Sequence, residues 1–165
     1  MIHALRFSKG LLVAAVALTA SLVAFNNLAD YQTNRLFVTH VLAMDTIFRD
    51  SAIHGRAITD PALQALCYWL IIVAEAATAV LCWVGAFALL RAITAPAPMF
   101  SRARKWSVAG LTLGFVTWQV GFLAIGGEWF GMWQSAAWNG EQSAFRFYMT
   151  IIAVLIYVSL PDPVA

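Results

Sequence analysis

The sequence predicts an all-α fold, a four-helix transmembrane bundle with an amphipathic helix in the first exterior loop, and three observations carry that expectation. Hydrophobic residues make up 62% of the chain and charged residues only 11%, against about 25% charged in soluble domains. Four apolar runs, near 11–28, 65–90, 106–125 and 143–160, each approach the roughly 20 residues that a helix needs to cross the hydrocarbon core. Between the first two runs lies a hydrophilic stretch whose apolar residues recur at helical spacing. The expected organisation is one integral membrane domain over residues 1–165, with exterior loops at 29–64 and 126–142 and a cytoplasmic loop at 91–105.

Each element has its own local justification. Arg6 and Lys9 precede the first apolar run, and no small-x-small cleavage site follows it, so the run reads as an uncleaved anchor rather than a signal peptide. It ends at Asn26 and Asn27, an ordinary helix stop or a pair of ligand-contacting amides. In the first loop, Asn34 to Phe48 places Phe37, Val41, Met44 and Phe48 on one face and Arg35, Thr39, Thr46 and Arg49 on the other. Such a helix is too short and too polar to cross, and is expected to lie at the surface or cap the bundle, with Asp45 and Arg49 as a weak i, i+4 pair. Asp60-Pro61 then signals the entry to the second span.

The second span, ALCYWLIIVAEAATAVLCWVGAFALL, carries one carboxyl group, Glu75, near its middle. An ionisable group at that depth costs at least about 2.5 kcal/mol on insertion scales. Tyr68, Glu75, Thr78, Cys82 and Gly85 share a face that suits an inward stripe. Cys67 and Cys82 are fifteen residues apart on the same helix, roughly 22 Å, and cannot bridge each other. They read as small apolar packing residues. The loop that follows, RAITAPAPMFSRARK, is proline-broken and basic. In the third span Gly110, Gly114, Thr117 and Gly121 form a stripe of small residues, expected to be the packing seam of the bundle. Trp129, Trp133 and Trp138 then read as an aromatic belt at headgroup level. Arg146 stands at the entry to the fourth span, and the chain closes on Pro161, Asp162 and Pro163.

Cation placement sets the expected orientation. Arg6, Lys9, Arg91, Arg102, Arg104 and Lys105 fall on one side; Arg35, Arg49, Arg56 and Arg146 fall on the other, dispersed among carboxylates. The positive-inside rule then places both termini in the cytoplasm of a multi-pass protein. Depth along the helices concentrates the polar intramembrane residues in the outer half of the bundle, where Glu75, Asn26, Asn27, Gln119 and Arg146 form a candidate polar cavity. His40, Asp45 and Glu128 belong to a candidate exterior cap. Neither His40 nor His54 shows paired-ligand spacing, so solvated or hydrogen-bonded histidines are expected there rather than metal ligands. A formal charge of +2 is too small to suggest a nucleic-acid partner, and the basic residues sit in short juxtamembrane clusters rather than along one exposed face.

The motifs NNLADYQTN and FVTHVLAMDT in the first loop, GGEWFGMWQSAAWNGEQSAFRF before the fourth span, and the four-span layout resemble a family of bacterial predicted small integral membrane proteins, a domain of unknown function. The resemblance covers nearly the whole chain. It implies a bacterial inner (plasma) membrane setting and brings no activity, so no catalytic role is carried over. No cofactor box, nucleophile triad or metal-ligand spacing is present, and no cofactor or catalytic residue is expected. Two classes of function remain. One is an accessory or interaction subunit that packs, within the lipid bilayer, against a larger membrane complex or itself. The other is a binding or transport module whose outward-opening cavity takes a small ligand, a cation or a lipid headgroup. The first is preferred, because the intramembrane polar residues are few and no broken helix or inverted repeat announces a transport path; an intramembrane enzyme is a distant third.

Overall fold

A computed structural model of the chain describes residues 1–162, so Pro163 of the terminal tail lies outside it. Helix α1 runs over Ile2–Ala29, α2 over Tyr31–Ala43, α3 over Pro61–Arg91, α4 over Ala97–Ala103, α5 over Lys105–Val116 and α6 over Glu141–Ser159. A π-helical segment, Thr117–Trp129, continues α5 without a break. Four helical stretches are long and apolar enough to cross a membrane: α1, α3, α4–α5 with its π continuation, and α6. The fold is therefore an all-α four-helix bundle, with α2 as the additional amphipathic helix in the first loop.

Local chemistry sets the helix ends. Asp60 caps α3 by accepting from the backbone N–H groups of Ala62 and Leu63 at 2.8 and 3.0 Å, and Pro61 occupies the first turn, where its missing N–H leaves no bond unmade. Helix α2 starts one residue after α1 stops and is terminated after Ala43 by Met44, a buried non-glycine residue in the left-handed region with φ of 54°. The expected Asn34–Phe48 helix is thus displaced towards the N-terminus. Val38 and Leu42 are its buried residues, while Phe48 lies beyond its end and is exposed. The left-handed Met44 also redirects Asp45, which meets His40 at 2.7 Å instead of pairing with Arg49.

The four long helices close into a ring, with α3 between α1 and α5, α5 beside α6, and α6 returning to α1. Lipid tails are as apolar as leucine, so close packing rather than hydrophobic exclusion must join these helices. Small residues make that possible. A Cβ added at Gly85 would run into the backbone and hydroxyl of Ser107, and one at Gly110 would stand 2.8 Å from the Cys82 backbone nitrogen. At Gly114 the added carbon would meet Thr78 Cγ2 at 2.9 Å. Gly121 departs from the expected seam, since nothing lies within 4 Å of its Cβ position. The reason is the π segment, in which each N–H bonds five residues back, as Phe130 N does to Ile125 O at 3.0 Å. Wider turns carry Gly121 off the face that Gly110 and Gly114 share.

At the end of the bundle bearing both described chain ends, a polar knot joins α1, the α3–α4 connection and the segment after α6. Arg6 is 3% exposed. Its Nε and Nη2 donate to Asp162 at 2.9 and 2.7 Å, its Nη1 donates to the carbonyls of Ile93 and Ala95, and its guanidinium lies over the Phe100 ring. Lys9 donates to the Leu160 carbonyl, and Arg104 Nη1 donates to the carbonyls of Val158, Ser159 and Leu160. The last carbonyls of α6, which have no partner within their own helix, are thereby met by cations.

Alanine for glycine inside a helix ordinarily stabilises by about 1 kcal/mol. At Gly85 the collision with Ser107 reverses that sign, so Gly85→Ala is expected to destabilise the protein in detergent by about 1–3 kcal/mol. Gly121→Ala should leave stability unchanged or raised. Denaturant titration of both variants checks this, and equal losses would contradict the displacement of Gly121 from the seam.

Candidate functional site

Glu75 sits midway along α3 and is 1% exposed. Tyr68 and Ile72 precede it on the same buried face, at the spacing that brings side chains into line along a helix. Across the α1–α3 contact, Asn27 Nδ2 donates to Glu75 Oε2 at 2.6 Å, and the Tyr68 hydroxyl donates to the Asn27 backbone carbonyl at 2.6 Å. This carbonyl belongs to the last turn of α1, where intrahelical partners run out. Tyr31 packs edge-on against Tyr68, with ring centroids 5.1 Å apart, and closes this corner from α2.

Asn27 and Glu75 open onto a cavity of about 290 Å³. Its other polar lining comes from Asn34 on α2, Tyr68, Asn139 in the last loop and Ser143 on α6, and its aromatic lining from Phe37, Trp118, Phe122 and Phe147. Asn34 is oriented by its bonds to the carbonyls of Asp30 and Asn26, at 3.0 and 3.3 Å. Among the described residues, Glu75 makes a single side-chain hydrogen bond, to Asn27, and Oε1 has none. Phe37, Val38, Ile71 and Phe122 line both this cavity and an adjoining one of about 550 Å³, walled mainly by apolar side chains of α2, α3 and the π segment. Gly121 and Gly126 line the second cavity, so the same widening that removes Gly121 from the seam opens space beside it.

Of the five residues expected around a cavity, Asn27 and Glu75 meet. Asn26 is exposed and contributes its backbone carbonyl to Asn34. Gln119 is half-buried and outside the lining. Arg146 is exposed and borders a separate groove of about 270 Å³ between α1 and α6, alongside Leu12 and Thr19. Ser143 and Phe147, four apart, share the face of α6 that meets the Glu75 cavity; Arg146 points off it. The stacked Trp118 and Phe147 rings, 5.0 Å apart, stand between the two spaces. Sequence reasoning did not place Asn34, Asn139 and Ser143 at this cavity. Asn34 opens the expected amphipathic helix and Asn139 lies in the last loop, but which residue they face depends on how the loops fold over the bundle.

The loops at this end form a cap stapled by aromatic contacts. His40 stacks on Trp138 with centroids 4.5 Å apart, Phe48 meets Trp133 edge-on at 5.8 Å, and the Arg56 guanidinium lies 4.5 Å from the Trp129 ring centre while donating to the Trp129 carbonyl. The three tryptophans therefore bind one loop to the other, although Trp129 and Trp133 remain half-exposed. Thr46 and Ser135 join their hydroxyls at 2.8 Å, and Gln134 Oε1 accepts from the Phe48 backbone N–H. His40 and Asp45 are a pair in this cap, whereas Glu128 is exposed with no hydrogen-bonded partner among the described residues. Among those residues no group of three histidine, cysteine or acidic side chains comes together.

Four membrane-crossing helices around a partly polar cavity define a small polytopic integral membrane protein. The chain belongs to the predicted small integral membrane protein family DUF2165, whose profile matches residues 5–161. Comparison with curated proteins and with solved structures gives no match.

The Asn27–Glu75 bond is the side-chain link between α1 and α3 at this cavity. A double-mutant cycle with Asn27→Ala and Glu75→Ala, read by unfolding in detergent, should give a coupling of about 0.6–1.7 kcal/mol, the range of interhelical hydrogen bonds. Strictly additive losses would mean that the pair does not hold the two helices together.

Proposed function

We propose that this protein is a membrane-embedded binding module that takes a small amphiphile, with a cationic or hydrogen-bond-donating head at Glu75 and an apolar body in the adjoining cavity. The observation that carries this reading is the carboxyl group of Glu75, a residue only 1% exposed, bonded through one oxygen only, on the wall of a cavity that abuts a larger apolar one. Ligand sites are concave and mostly apolar, with a few convergent polar groups that orient the ligand. Asn27, Asn34, Asn139 and Ser143 supply such groups around a single acid. An anionic head is disfavoured, since the lining includes no cation: Arg146 borders the other groove. The accessory-subunit reading draws on the same Asn27–Glu75 bond as a packing element, but gives no role to either cavity.

The bacterial inner membrane is the proposed setting, with the Arg6–Asp162 end in the cytoplasm and the tryptophan-stapled cap outside. The excess of cations at residues 6–9 and 91–105 supports that orientation. Ser101 and Asp50 are both exposed, on opposite ends. In a Cys67→Ala background, cysteine at position 50 should react with an impermeant thiol reagent in intact cells, while cysteine at position 101 should react only after lysis. The reverse pattern would overturn the orientation.

Binding is tested with dodecylamine, dodecanol and dodecanoate added to the detergent-purified protein and read by native mass spectrometry. Wild type should retain the amine and the alcohol over the acid. Glu75→Gln should keep stability within about 1 kcal/mol and lose the preference for the amine. A Glu75→Gln protein that binds all three as wild type does, while a co-purifying protein partner stays in place, would remove the binding reading in favour of the accessory one.

A further inference from the structure

At the end of the bundle away from the tryptophan-stapled cap, we propose a second site, which binds the phosphodiester headgroup of an anionic membrane phospholipid. A wide pocket of about 980 Å³ lies where the end of α3, the short helix α4 and the start of α5 meet, and Arg91, Arg102, Arg104 and Lys105 line it. No carboxylate lines it. Asp162 is the one carboxylate at this end among the described residues, and it is taken by Arg6 at 2.7 Å with Lys9 at 3.9 Å. Arg91, Arg102 and Lys105 are exposed and make no side-chain hydrogen bond or ion pair among the described residues. Arg104 differs: its Nη1 is held by the α6 carbonyls and its Nη2 by Ser101 Oγ, which fixes one guanidinium as a rigid corner of the pocket.

Two features select a lipid over a soluble anion. The cations sit at helix ends, with Arg91 as the last residue of α3 and Lys105 as the first of α5, which is where headgroups lie against a spanning protein. Beneath them the pocket continues onto Ala88 and Val108, an apolar flank on the two spans that suits the start of acyl chains. Trp106 is half-exposed beside Lys105, whose ammonium lies 5.0 Å from its ring centre, a pairing typical of the interfacial layer. Basic pockets between spanning helices recognise anionic headgroups through charge-assisted bonds to phosphate oxygens. This site shares no residue with the Glu75 cavity and does not depend on it.

The protein in mild detergent is titrated with phosphatidylglycerol, phosphatidylcholine and inorganic phosphate, and retained adducts are counted by native mass spectrometry. Wild type should prefer phosphatidylglycerol over phosphatidylcholine by about tenfold or more, each cation near the surface being worth about fivefold. Excess inorganic phosphate should not displace the lipid. Arg91→Gln, Arg102→Gln and Lys105→Gln should each lower the preference and together abolish it. Glu75→Gln should leave it intact, which separates failure here from failure of the cavity reading. The single variants carry the test if the triple variant does not fold. Equal retention of both lipids by wild type, a preference that survives these substitutions, or displacement by inorganic phosphate would each overturn the proposal.

Discussion

The close approach of α3 to its neighbours is the constraint on which the remaining structure depends. In a bilayer, helices gain nothing by hiding apolar surface from one another, so association rests on contact at short range. Helix α3 meets α5 through Gly85 against Ser107 and Cys82 against Gly110, and meets α1 through its small and medium-sized inner face. These crossings fix where Glu75 and Asn27 stand relative to each other. They also fix the lower half of the bundle, where Ser107 Oγ is fully buried and has no hydrogen-bond partner among the described residues. A hydroxyl without a partner at the tightest crossing is the cost of bringing two backbones so close.

The upper half is built differently. Beyond Gly114 the third span widens into π geometry, its glycine stripe leaves the seam, and both cavities lie alongside the widened segment. The loops then cover that looser region through paired aromatics and a few hydrogen bonds rather than through a continuous apolar core. Two separate buried clusters reflect this: one runs through the four spans, and the other joins α2, α3 and Phe130 beneath the cap. The tightly packed crossings hold the geometry of the four spans, and the widened segment leaves the two cavities that lie beside it.

Much of this architecture was legible in the sequence. Hydropathy gave four spans, the Asp60-Pro61 cap marked the start of α3, and depth along the helices placed Glu75 and the Asn26–Asn27 pair in the same outer half of the bundle. Which of the two asparagines faces inward was not legible, because both lie at one depth and differ only in direction around α1. Arg146 and Gln119 failed to join the site for that same reason: axial position follows from counting residues, whereas azimuth depends on which neighbours a helix meets. The π segment compounded this by altering the turn on which the Gly110–Gly121 stripe was judged. The role of Arg6 was hidden as well. Its position reads as an interfacial flank, and only the return of α6 to the same end brings Asp162 and three backbone carbonyls against it and its neighbours.

Magnitudes bear on why Glu75 stands where it does. An ionisable side chain near mid-membrane costs at least about 2.5 kcal/mol relative to an apolar one. The single bond from Asn27 returns about 0.6 kcal/mol on average and about 1.7 at most. Packing alone therefore leaves Glu75 a net burden, since a leucine or methionine at that position on α3 would occupy similar volume without the deficit. The contrast with Arg6 is instructive: that guanidinium is equally buried, yet it engages one carboxylate, two carbonyls and an aromatic ring, and its donors are nearly exhausted. A buried charge with nearly every donor matched is a structural element. A buried acid with one oxygen unmatched, facing a cavity lined by amides and hydroxyls, is not accounted for by packing alone.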